Sequence, residues 1–144
     1  MGTPLGGTIA AAKVYGAIIS RPITNKWLKL LMRIHSSKKM NSMFELPFKG
    51  IWDMVLFDTS KLNRNDEVYF IFYEASSLSG SRNYLNHLRR KYKHCKLIYA
   101  FVNPIQAINA RVWAKWPTIR NCYDQVITFN RADSEQEGWI FLDY

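Results

Sequence analysis

From residue 67 onward the chain alternates short apolar runs with amphipathic stretches. Residues 67–73 are apolar, aromatic and β-branched with almost no interruption. A run of that kind, lacking polar alternation, predicts a strand in a parallel sheet covered on both faces. Residues 81–92 bring Tyr84, Leu85, Leu88 and Tyr92 to one side at helical spacing and leave Arg82, Arg89, Arg90 and Lys91 outward, which predicts a helix. Further strands are expected at 96–102, 125–129 and 139–142. A loop and helix over 104–113 and a short helical turn over 131–137 fall between them. Strands alternating with helices in this way predict βαβ units with right-handed crossovers.

Upstream, residues 24–43 read as one helix. Thr24 or Asn25 can cap it, since either side-chain oxygen can accept from first-turn amides. Trp27, Leu28, Leu30, Leu31 and Ile34 form its apolar stripe, and Lys26, Lys29 and Arg33 lie largely off that stripe. The composition suits a membrane-surface helix, but packing on the core with a solvated basic face is the expected use. A turn at 46–52 then leads into a short helix ending near residue 57. Residues 1–22 contain Gly, Pro and small residues without a phosphate-loop pattern and are expected to be irregular. The fold expected is a single α/β domain over 1–144. It consists of an irregular N-terminus (1–22), a helical segment (23–66) and a βαβ core (67–144) built as a small Rossmann-like parallel sheet with covering helices.

Composition adds charge to this picture. The chain of 144 residues carries a net charge of +9, and 48% of its residues are hydrophobic, enough for a packed core. Between Met1 and Trp52 eight Lys and Arg face one acid, Glu45, and residues 75–123 hold nine basic residues and no acid. The tail from Asp124 reverses the balance, with five acids against Arg131. Lys26, Lys29, Arg33, Arg89, Arg90 and Lys91 are therefore candidates for a basic patch that meets nucleic acid or an anionic surface. No apolar run is long enough for a transmembrane segment, and no basic leader with a cleavage site opens the chain. A cytoplasmic protein, at most peripheral at the inner membrane face, is expected. Cys95 and Cys122 make no CxxC pair, and His35, His87 and His94 lack ligand spacing. Neither a metal nor a cofactor is expected.

Ligands of open α/β sheets collect beyond the carboxyl ends of the strands. Glu74, Ser76, Arg82, Asn103 and Asn130 are the candidates placed there. Glu74 could orient hydroxyls or simply bind backbone amides. Arg82 could meet an anionic group, while Ser79 or Ser81 could merely cap the helix. Asn103 before Pro104 suits a turn, and Asn130 could cap the helical turn after it, with Asp133 a first-turn acid favoured by the helix dipole.

Taken in series, residues 44–52 (FELPFKGIW), 68–74 (VYFIFYE), 84–92 (YLNHLRRKY), 95–104 (CKLIYAFVNP) and 123–133 (YDQVITFNRAD) carry a family resemblance. The series resembles the N-terminal Rossmann-like half of bacterial glycosyltransferase-like proteins of polysaccharide assembly. Lys93 and His94 stand where that family usually has Pro. The resemblance implies a GT-B-like arrangement, in which this acceptor-side domain meets a sugar acceptor and works with a second, donor-binding glycosyltransferase domain. On that basis the 144 residues are expected to be incomplete and not catalytic alone.

Overall fold

The computed structural model describes residues 23–43, 47, 49–55, 62–74 and 78–143. The expected irregular segment 1–22 lies outside them. Helices α1 (Lys26–His35), α2 (Lys38–Met43) and α3 (Ile51–Val55) come first. Strand β1 (Glu67–Tyr73), helix α4 (Arg82–Lys91) and strand β2 (His94–Phe101) follow. A 3₁₀ turn (Ile105–Ala107) and the short helices α5 (Ala110–Trp113) and α6 (Trp116–Ile119) lead to a second 3₁₀ turn (Arg120–Cys122). Strand β3 (Gln125–Thr128), helix α7 (Arg131–Glu137) and strand β4 (Ile140–Phe141) complete the order.

The four strands form one parallel sheet in the order β1-β2-β3-β4, with Glu67 opposite His94, Ile98 opposite Gln125 and Ile127 opposite Ile140. The protein is a small Rossmann-like α/β fold. Helix ends follow local chemistry. Asn25 accepts from the amides of Trp27 and Leu28, and Ser81 accepts from that of Tyr84. Gly138 closes α7 at φ +70°, the left-handed conformation in which glycine alone is unstrained.

Three expectations need correction. First, β1 is not covered on both faces. Val68 and Phe72 are buried in the main core, whereas Ile71 is 42% and Tyr73 53% exposed. The strand order explains this, because right-handed crossovers between strands that simply count 1-2-3-4 put every connection on one face. The other face keeps a small cluster of Ile98, Ala100 and Ile127, with Tyr69 and Leu142 packed against it.

Second, the helix expected over 24–43 breaks at Ser36 and Ser37. Ser36 ends α1, and the Ser37 hydroxyl accepts from the Met40 amide to start α2, which is how serine competes with a continuous helix. Third, α1 turns a different side inward. His35 is buried and Leu31 and Met32 pack on the core, while Trp27 is 78%, Leu30 46% and Ile34 38% exposed. The inward side is fixed by the His35 ring, which meets the buried Trp52 edge-on with centroids 5.7 Å apart.

The core on the helix side is unusually aromatic. Tyr99 and Phe101 of β2 stand 4.6 Å apart, and Trp116 lies 4.9 Å from the first and 5.1 Å from the second. Trp139 stacks on Phe101 at 4.5 Å and Tyr123 meets Tyr99 edge-on at 5.0 Å. Trp113, Trp116 and Tyr123, each a stacking group on paper for sugars or bases, all pack into this cluster.

Candidate functional site

At the carboxyl ends of β1 and β2 the chain places a carboxylate beneath an amide. Glu74 follows β1 directly, and its amide donates to the Ala100 carbonyl, continuing the β1–β2 ladder by one residue. That pairing draws the side chain under the β2 loop, leaving it only 9% exposed. The exposed Asn103 covers it, its Nδ2 donating to Glu74 Oε1. Glu74 Oε2 is buried and has no hydrogen-bond partner among the described residues. A carboxylate oxygen left without a donor is expensive. An arrangement of this kind suits a polar ligand that supplies the missing hydrogen bond.

The neighbouring loops are held in place by side chains that cap and latch. Asn130 is the N-cap of α7, its side-chain oxygen accepting from the Asp133 amide. Asn130→Ala should therefore lower stability by about 1 kcal/mol, read as a shift of the urea midpoint. Asp133 is buried and accepts from the amide of Ile105, tying the loop that carries Asn103 to the helix after β3. Its first-turn position was legible in the sequence, but its bond to Ile105 was not. Arg82 is exposed on the first turn of α4, and its charge acts on the Cys122 thiol. No ion pair of Arg82 with Glu74 forms among the described residues. Ser76 lies outside the described residues.

Neither cysteine thiol is activated. Cys95 and Cys122 are buried, and burial pushes both thiols up, away from the thiolate that reacts. Tyr99, beneath the site, has its phenol pushed up to about 12, chiefly by burial, with the Glu74 charge adding to the rise. Among the described residues no group of three or more His, Cys, Asp or Glu could hold a metal ion. What the pair offers is hydrogen bonding: a free carboxylate oxygen that accepts, beside an amide that both accepts and donates.

The basic residues lie elsewhere. Arg89 donates to the Cys122 carbonyl at 2.7 Å and pairs with Asp124 at 3.1 Å. Lys91 pairs with Asp53 at 2.8 Å. Arg90 lines an open concavity of about 460 Å³ with Arg64, His87 and Asp53, at the opposite end of the sheet from Glu74. Lys26, Lys29 and Arg33 are exposed on the outer side of α1. The candidates drawn from the sequence thus sit on two different helices, and those of α4 are largely engaged in internal ties.

The Lys91 tie belongs to a hub at Asp53, a residue that sequence reasoning passed over. Its carboxylate accepts from Tyr84 Oη at 2.9 Å and Lys91 Nζ at 2.8 Å, and His87 Nε2 lies 2.8 Å away. A carboxylate can only accept, which assigns the proton to Nε2. The signal for this hub was present in part: Tyr84, His87 and Lys91 are spaced three and four apart on one helix face, and a lone acid interrupts the apolar α3.

No described helix is long and apolar enough to cross a membrane. Compared with protein-family models, with curated proteins and with solved structures, the chain matches none.

Proposed function

We propose that the chain is the acceptor-side, N-terminal domain of a glycosyltransferase-like protein of polysaccharide biosynthesis, binding sugar hydroxyls at Glu74 and Asn103 and not catalytic alone. The observation that carries this reading is the buried Glu74 Oε2, which lacks a donor among the described residues at the carboxyl end of a parallel strand. A hydroxyl entering beside Asn103 would donate to that oxygen, and an adjacent hydroxyl could bond the Asn103 amide. Neutral sugars present such adjacent groups. The series of motifs that resembles the glycosyltransferase-like family supports the choice of polysaccharide chemistry.

The test is an amide-resolved NMR titration with neutral monosaccharides, on the parent protein and on Glu74→Gln. Resonances at 74 and 103 should shift in the parent, and the variant should bind about tenfold more weakly, having lost a charge-assisted bond of about 1.5 kcal/mol. The urea midpoints of both proteins, read alongside, report what Glu74 contributes to stability. A fall in stability with no sugar-dependent shifts in either protein would show that Glu74 is only a loop anchor.

A second reading rests on the placement of charge. Lys26, Lys29 and Arg33 are all exposed on one helix, which favours a basic module that meets nucleic acid or an anionic surface.

A further inference from the structure

We infer that the outward side of α1 docks on an anionic lipid surface, inserting Trp27, Leu30 and Ile34 while Lys26, Lys29 and Arg33 meet the headgroups. The inference rests on the second reading above and narrows its partner to lipid. At about 100° per residue, the three cations occupy one arc about 60° wide. Leu30, Ile34 and Trp27 occupy the next arc of about 60°. Leu31, Met32 and His35 take the opposite side and pack inward. The helix therefore lies along the protein surface and presents both arcs together.

The chemistry of the two arcs selects the partner. No acid occurs in α1 or anywhere from residue 23 to 43, so nothing there repels an anionic surface. Cations alone would suit any polyanion. A ridge of Leu and Ile beside an almost fully exposed Trp gains nothing from phosphodiester backbones, whereas it gains free energy at the headgroup–acyl boundary, where aromatic rings also settle. Three large apolar side chains left exposed in line, rimmed on one edge by cations, match an interfacial helix. The ten-residue α1 is too short to span a bilayer and of a length to lie in its surface.

Flotation with phosphatidylglycerol vesicles and, separately, phosphatidylcholine vesicles tests this. The protein should float with phosphatidylglycerol, lose binding as salt rises, and stay unbound with phosphatidylcholine. Changing Lys26, Lys29 and Arg33 to Gln should weaken partition about fivefold per charge, near a hundredfold together. Trp27→Ala with Leu30→Ser should weaken it at least about tenfold. Both sets alter exposed positions, so circular dichroism and the unfolding midpoint should stay as in the parent. Undiminished flotation of either variant overturns the inference. Binding of a fluorescent single-stranded oligonucleotide without vesicle binding also overturns it but leaves the basic-module reading standing, and binding of neither removes both. A concentration-dependent dimer abolished by Trp27→Ala would overturn it by making this side a contact between copies.

Discussion

Phe101→Ala should be the most damaging single truncation, lowering the unfolding free energy by about 3–5 kcal/mol. Phe101 is 1% exposed at the end of β2, where it contacts Tyr99, Trp116 and Trp139, the last in a stacked pair whose planes differ by 4°. Removing the ring takes away apolar burial and leaves three rigid aromatic neighbours that cannot collapse into the space. Domains of this kind hold only about 5–15 kcal/mol in total, so the variant should unfold at a much lower denaturant concentration. Because Trp113 also meets Phe101 edge-on, at 6.1 Å, indole fluorescence of the folded variant should change as well. A loss below about 1 kcal/mol would mean the aromatic cluster is loosely packed. Phe101→Leu keeps most of the volume and should lose distinctly less than Phe101→Ala.

Asp53→Ala should have the second largest effect, about 2–3 kcal/mol. The carboxylate is the shared acceptor for Tyr84, His87 and Lys91, and its removal leaves those donors aimed at an apolar methyl group. The loss falls short of a fully buried ion pair because Lys91 and His87 retain partial access to water.

The same site sets a pH dependence. Burial alone would raise the Asp53 carboxyl, but the hydrogen bonds from His87, Lys91 and Tyr84, with the Lys91 charge, outweigh it and hold the carboxyl below its ordinary value. For Lys91, burial works downward and Asp53 more than offsets it, so the ammonium is held above its usual value. A carboxyl depressed in the folded state contributes stability that is complete above its unfolded pKa, about 3.9. That contribution is lost as pH falls through the lower folded value. Parent stability should therefore fall with acidification below about pH 4, and the acid limb of Asp53→Ala should be shallower. Urea unfolding at a series of pH values measures both, and parallel acid limbs would remove Asp53 from the account.

Much of the local architecture was readable from residue types. The apolar run at 67–73, the helical stripe of Tyr84, Leu85 and Leu88, and the caps at Asn25, Ser81 and Asn130 each follow from interactions within a few positions of the chain. The break at Ser36 and Ser37 had a local cause too, but the helical period on either side ran through it. The short helix α6 was not among the expected elements; its Pro117 sits in the first turn, where proline is tolerated.

The sequence by itself determined the strands, the main crossover helix and therefore a parallel α/β sheet, since hydrophobic period and capping chemistry act over one or two turns. Tertiary structure alone decided the rest. It set Glu74 under Asn103, 29 positions away, and gathered three donors of α4 onto Asp53, up to 38 positions away. It also left one sheet face partly open at Ile71 and Tyr73 and turned Trp27, Leu30 and Ile34 outward on α1. The physical reason is common to all four. A periodic pattern states which side chains share a face, but burial and hydrogen bonding depend on what that face meets, and those partners come from distant parts of the chain.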